Sequence, residues 1–131
     1  MEELMRRHRE FMASRKSYEV EYRLRALGRM QEAIRHYEDE ICRAIYQDLG
    51  KARSESYMCE VGLTLKELSH VKRHLKGWAR TKHVGTGLAN FPAGSRIVQE
   101  PYGVVLIMSP WNYPFMLCME PLVGAIAAGN S

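Results

Sequence analysis

Residues 103–130 limit the possible folds of this chain more than any other part. Gly103-Val-Val-Leu-Ile-Met108 is a continuous apolar run, rich in β-branched residues and bounded by Pro101 and Pro110. A strand with one wet face alternates polar and apolar residues, so a run without alternation reads as a parallel strand covered on both faces. Phe115 to Ala128 is then apolar nearly all round, and Gly129-Asn130 reads as a helix stop. Pro114 suits an N-terminal helical position. Pro121 has no N–H for the carbonyl four residues back, so a kink or a late helix start is expected there. Strand, loop and helix open a βαβ unit, and the chain ends where the returning strand is due. Such a strand and helix need neighbours that the 131 residues do not supply, so the sequence reads as cut rather than finished.

The first 80 residues follow a different period. Leu24, Leu27, Met30, Ile34, Tyr37, Ile41, Ile45 and Leu49 recur every three or four positions, with charged residues between them. This predicts one helix from Tyr18 to Leu49, with Ser17 as N-cap, Glu19 and Glu21 near its positive end and Gly50 closing it. A second stripe, Tyr57, Val61, Leu65, Leu68, Val71, Leu75 and Trp78, predicts a helix from near Ser54 to Trp78, slightly weakened by Gly62. A shorter helix is expected over Glu3 to Ala13. At Thr81 the character changes. Pro92-Ala93-Gly94 reads as a turn between extended pieces at Gly87 to Phe91 and Ser95 to Gln99, a β-hairpin. The expected organisation is a helical part over 1–80, a hairpin over 81–101 and a βα unit from 102 to 131, an α/β fold.

Composition excludes several classes. With 46% hydrophobic and 26% charged residues, the chain is neither disordered nor fibrous. A net charge of +4 demands no acidic partner. The N-terminus mixes both charge signs without an apolar segment, which implies no secretory signal and a cytoplasmic setting. Tyr113 to Gly129 is broken by Pro114, Glu120 and Pro121 and is shorter than a spanning helix, so no membrane partner is expected. Cys42, Cys59 and Cys118 form no CxxC pair, which argues against both a disulfide framework and a metal site.

The chemistry-bearing segment is Pro110-Trp-Asn-Tyr-Pro114, which leaves the C-terminal end of the predicted strand, where open α/β sheets bind ligands. Two prolines fix the backbone on either side of Trp111, Asn112 and Tyr113. An asparagine amide held this way can donate to an oxygen that gains charge during carbonyl addition. The plainer alternative is a turn whose Asn112 satisfies its own backbone.

Glu100-Pro-Tyr-Gly-Val-Val-Leu-Ile107, Pro110-Trp-Asn-Tyr-Pro114 and Pro121-Leu-Val-Gly-Ala-Ile-Ala-Ala-Gly-Asn130 resemble the N-terminal part of the aldehyde dehydrogenase superfamily, in its class-3 and fatty-aldehyde branch. Asp48-Leu-Gly-Lys51 and Glu60-Val-Gly-Leu63 resemble the same branch more weakly. The resemblance implies a Rossmann-type cofactor domain, NAD or NADP as cofactor and a small-molecule aldehyde as substrate. In that chemistry a cysteine thiolate attacks the aldehyde, hydride leaves to the cofactor, and a glutamate-activated water releases the acid. Asn112 matches the asparagine that stabilises the thiohemiacetal oxyanion. Met108, Ser109, Pro110 and Trp111 match positions lining the nicotinamide-ribose side of the cofactor site, and Tyr113 an aromatic at the substrate entrance. The hairpin resembles the family's oligomerisation ribbon, which implies a homodimer. The nucleophilic cysteine and general-base glutamate match no position in this sequence, so the chain alone is expected to be inactive.

Other signals point elsewhere with less force. Cys118 sits on an apolar helix with no neighbouring His or cation, which favours a packing role over a nucleophilic one. His70 and His74 share a helix face at a zinc-compatible spacing, but Lys66, Arg73 and Lys76 would repel a metal ion. Between Ser69 and Gln99 there is no acidic residue, while Lys72, Arg73, Lys76, Arg80, Lys82 and Arg96 are basic. This stretch offers the rival reading of a non-enzymatic module that binds nucleic acid, or one that associates through its exposed strand. Without a recognition motif such a stretch is usually solvated surface, and no nucleic-acid partner is expected.

Overall fold

The computed structural model describes residues 2–131, and within them helices dominate. In chain order they are α1 (Glu2–Ala13), α2 (Val20–His36), α3 (Glu38–Leu49), α4 (Arg53–Ser56), α5 (Gly62–Trp78) and α6 (Met116–Ala128). Strands β1 (Lys82–Val84) and β2 (Ser95–Ile97) form a two-stranded antiparallel hairpin between α5 and α6. None of these helices is long and apolar enough to cross a membrane.

The predicted helix over Tyr18–Leu49 is two helices that meet at Tyr37, whose φ of −98° and ψ of 15° leave the helical region. The charges carry the reason. Arg35 and His36 lie in the last turn of α2, and Glu38, Asp39 and Glu40 in the first turn of α3, so each helix end faces the charge its dipole favours. Ser17 does not cap α2. It is buried in a 3-10 turn, Lys16–Tyr18, and Glu19 takes the N-cap position without a side-chain cap. Gly50 closes α3 in the left-handed conformation, φ 67°, as its lack of a Cβ allows.

The second predicted helix is also interrupted, by a π turn over Tyr57–Val61 between α4 and α5. Gly62 belongs to this irregularity. A Cβ there would lie 2.9 Å from the Tyr57 carbonyl oxygen and 3.3 Å from its ring, so the glycine lets the wide turn close. Of the predicted stripe, Val61, Leu68, Val71 and Leu75 are buried, whereas Tyr57 and Trp78 at its ends stay exposed. The core gathers Leu27 and Ile34 of α2, Cys42 of α3, these four residues and Val123 of α6, with α5 packed between α2 and α6. Each fully buried Leu or Val contributes about 1.5–3 kcal/mol.

The hairpin pairs different residues from those expected. Lys82, His83 and Val84 face Ile97, Arg96 and Ser95, while Leu88–Asn90 forms a 3-10 turn in the intervening loop. The stretch Leu88-Ala-Asn90 lacks the β-branched alternation that holds a strand. Helix α6 starts at Met116, two residues after Pro114, and runs through Pro121. Gly129, φ 87°, ends it: the Asn130 N–H donates to the Ala125 carbonyl at 2.9 Å and the Gly129 N–H to the Ile126 carbonyl at 3.0 Å, a Schellman closure.

Gly103–Met108 does not form a regular strand. It makes one parallel-type pair of hydrogen bonds, Ser131 N–H to the Gly103 carbonyl at 2.9 Å and Val105 N–H to the Ser131 carbonyl at 2.8 Å. The Asn130 side-chain oxygen also accepts from the Gly103 N–H at 2.9 Å. A strand exists through its partners, and here the partner is a single residue. The crossover from Gly103 through α6 to Ser131 thus has the connectivity of a βαβ unit with its first parallel rung in place.

Candidate active site

The Pro110–Pro114 loop joins this extended segment to α6, and two residues distant in sequence, Lys51 and Glu60, bear on its shape. Glu60, in the π turn, is completely buried. A carboxylate in that position is costly unless every oxygen is met, and both are. Oε1 accepts from the Lys51 ammonium at 2.7 Å. Oε2 accepts from the backbone N–H groups of Phe115 at 3.0 Å and Met116 at 3.4 Å, which are otherwise unsatisfied donors at the start of α6. The Lys51 Nζ also stands 3.9 Å from the centre of the Tyr113 ring, a cation–π contact. The hydrogen bond to Glu60 is the main reason that the Lys51 ammonium holds its proton above the ordinary lysine range.

Tyr113 itself has φ 49°, a left-handed conformation that is uncommon for a bulky aromatic. Its carbonyl accepts the Leu117 N–H at 3.0 Å, so the residue is held by backbone as well as ring. Asn112, one residue earlier, is exposed, and so are Ser109 and Pro110. Met108 and Trp111 are 85% and 84% exposed. The six residues singled out in the sequence therefore lie together, along one open stretch from 108 to 113. Sequence reading missed Lys51 and Glu60 as partners of that stretch, although both fall in the weakly resembling segments 48–51 and 60–63.

At the opposite end of α6, Arg23 is buried, and among the described residues no carboxylate pairs with it. Its guanidinium donates to the carbonyls of Ser17, of Tyr18 at 2.9 Å and of Ala127 at 3.2 Å. Burial lowers its affinity for the proton, and the Ala127 carbonyl that it meets lies in the last turn of α6, at the negative end of the helix dipole. Helix α6 is thus tied at its start by Glu60 and at its end by Arg23.

The other candidates are placed as follows. Cys118 is a free, half-buried thiol within α6, and burial pushes the thiol of Cys42, in the core, up from its ordinary range. The rings of His70 and His74 lie tilted to each other at 4.3 Å between centres, with His74 stacked on Trp78 at 5.5 Å, and no group of three metal-ligating side chains occurs among the described residues. Within the basic stretch, Lys72 donates to the Gln31 side chain at 2.9 Å and Lys76 pairs with Glu21 at 2.6 Å.

Residues 1–131 match the model of the aldehyde dehydrogenase family. The chain belongs to that family. It is 46% identical over 121 residues to 4,4'-diaponeurosporen-aldehyde dehydrogenase of Staphylococcus aureus, covering 92% of this chain and 26% of that protein. It is 40% identical over 131 residues to aldehyde dehydrogenase family 3 member F1 of Arabidopsis thaliana, covering 100% of this chain and 27% of that protein. Among solved structures, the substrate-bound state of Staphylococcus aureus AldH superposes with a TM-score of 0.96 at 44% identity, over 99% of this chain and 28% of that one. This chain spans about a quarter of the length of the relatives it matches. The mostly helical arrangement with its antiparallel hairpin is the fold of the N-terminal part of a family member.

Proposed function

We propose that the chain supplies the oxyanion-stabilising loop of an NAD(P)-dependent aldehyde dehydrogenase, with Asn112 as the donor. One observation carries this reading. Asn112 stands exposed beside a Tyr113 locked in a left-handed conformation, so its amide projects from a backbone that cannot readily rearrange. A donor fixed before the reaction stabilises developing charge without a reorganisation cost, which is what carbonyl addition requires. Tyr113 then stands at the substrate's approach. The name of the Staphylococcus aureus relative, 4,4'-diaponeurosporen-aldehyde dehydrogenase, supports an aldehyde of that kind as substrate.

The residues at 108–111 suit a dinucleotide. Met108 and Trp111 leave apolar area uncovered, with the Ser109 hydroxyl and the rigid Pro110 between them, a combination that fits a flat ring and its ribose. These four would hold NAD or NADP, which when bound accepts the hydride. The hairpin, whose β1 residues are all exposed, would pair with a second copy in a homodimer.

In the intact dehydrogenase carrying this sequence, Asn112→Ala is expected to lower kcat by about 10²–10³, with a much smaller change in KM. A loss below threefold would overturn the assignment. The purified 131-residue chain should give no steady NADH production with an aldehyde, since the nucleophilic cysteine and general-base glutamate of that chemistry match none of its positions. Steady turnover by this chain would refute that part of the reading.

A further inference from the structure

Asn112 can act as a fixed donor only if the residue after it keeps an unfavourable backbone conformation, and the structure shows what enforces it. Tyr113 at φ 49° is gripped from two sides. The Lys51 ammonium lies 3.9 Å from the centre of its ring. The Glu60 carboxylate holds the next but one N–H, that of Phe115, at 3.0 Å from the fully buried floor of the site. Lys51 and Glu60 are joined to each other at 2.7 Å, so ring and backbone are clamped by one connected unit. The clamp depends in turn on the π turn Tyr57–Val61, which carries Glu60 and closes because residue 62 has no Cβ. No other basic group is hydrogen-bonded to this carboxylate among the described residues, and the ammonium has no second carboxylate within ion-pair distance there.

We propose that Lys51 and Glu60 are positioning residues: through Tyr113 they fix the direction of the Asn112 amide and thereby the place where an oxyanion can be received. The catalytic part of this inference rests on the function proposed above. The geometric part does not. If the ring were released, Tyr113 could relax towards negative φ, and the peptide that carries Asn112 would rotate with it. Substituting Lys51 removes both the grip on the ring and the cation that pairs with Glu60, while the side chains that form the apolar core of α2, α5 and α6 stay in place, because Lys51 is not among them.

The test compares the wild-type 131-residue chain with Lys51→Met and Lys51→Arg by amide hydrogen exchange and by the NMR signals of the Asn112 side-chain amide. In Lys51→Met, exchange at the Phe115 N–H should accelerate about tenfold and the Asn112 signals should shift, while Leu68 and Val71 keep their protection. Lys51→Arg restores a cation that can both pair with Glu60 and lie on the ring, so it should recover most of the wild-type behaviour. Unchanged Phe115 exchange and Asn112 signals in Lys51→Met would overturn the proposal. Equal acceleration at Leu68 and Val71 would also overturn it, by showing a general stability effect.

In the intact dehydrogenase, Lys51→Met should reduce kcat about tenfold with aldehyde KM changed less than threefold, and Lys51→Arg should recover it. Wild-type kcat in Lys51→Met, alongside altered Asn112 signals, would overturn the catalytic part. An intact wild-type protein with no dehydrogenase activity would instead refute the proposed function, and the exchange experiment would still decide the geometric claim.

Discussion

Leu68 and Leu106 are the same residue in two regions built on different terms. Leu68 is wholly buried between α2 and α6, whereas Leu106, in the extended segment, is 82% exposed. The helical region satisfies its apolar stripes internally: α2, α5 and α6 close on one another around Leu27, Val61, Leu68 and Val123. Residues 102–113 display Tyr102, Leu106, Met108 and Trp111 to solvent. Yet the candidate chemistry lies on the second region. The helical region supplies stability and holds the loop through Glu60 and Lys51, and the loop contributes little to stability itself. Such a division lets a ligand-facing stretch be shaped by its reaction rather than by packing.

The comparison is most exposed to test at Leu68. Leu68→Ala should cost about 3 kcal/mol of unfolding free energy, since it removes a fully buried side chain and leaves a cavity that three helices can fill only partly. Urea denaturation measures this directly. A loss below about 1 kcal/mol would mean that the helices do not share one closed core.

A smaller effect is expected at Gly129, where the two regions meet. Its φ of 87° disfavours any L side chain, and a Cβ would lie 2.8 Å from the Ser17 carbonyl oxygen and 2.9 Å from Arg23 Nε. Gly129→Ala should therefore destabilise by about 2 kcal/mol. It should also loosen the rung between Val105 and Ser131, seen as faster exchange of both N–H groups. Gly77 provides the control: it lies in α5 with nothing within 4 Å of its would-be Cβ. Gly77→Ala should stabilise by about 0.5–1 kcal/mol. Equal effects at the two glycines would remove the seam from the description.

How far the sequence could be read follows the range of the forces involved. The 3.6-residue period located the buried stripes of α2 and α5, because that pattern is local. The breaks at Tyr37 and at Tyr57–Val61 leave the apolar residues at three- and four-residue spacing in the sequence, so periodicity passed over them. The switch from Arg35-His36 to Glu38-Asp39-Glu40 was the available signal for the first. At the site, the motif Pro110-Trp-Asn-Tyr-Pro114 marked the right loop. Its supports, Lys51 and Glu60, stand 62 and 53 positions before Tyr113. Nothing in local propensity pairs a lysine after a helix stop with a carboxylate in the next helix; that pairing arises only when α3, the π turn and α6 pack. The strand predicted over Gly103–Met108 failed for a related reason, since a strand's regularity lies in its neighbours.

The smallest expected effect completes the comparison. Leu106→Ala deletes the same atoms as Leu68→Ala, so any difference in cost reports only on surroundings. With 82% of its surface already in water, Leu106 has little transfer free energy to lose and no cavity to leave. The change in unfolding free energy should stay within about 0.5 kcal/mol. A cost above about 1 kcal/mol would show that something covers the segment in solution, and an exposed apolar stretch with unpaired backbone groups makes another copy of the chain the first candidate. That case would reveal itself by a cost that grows with protein concentration, because stability gained from association depends on mass action whereas stability gained within one core does not.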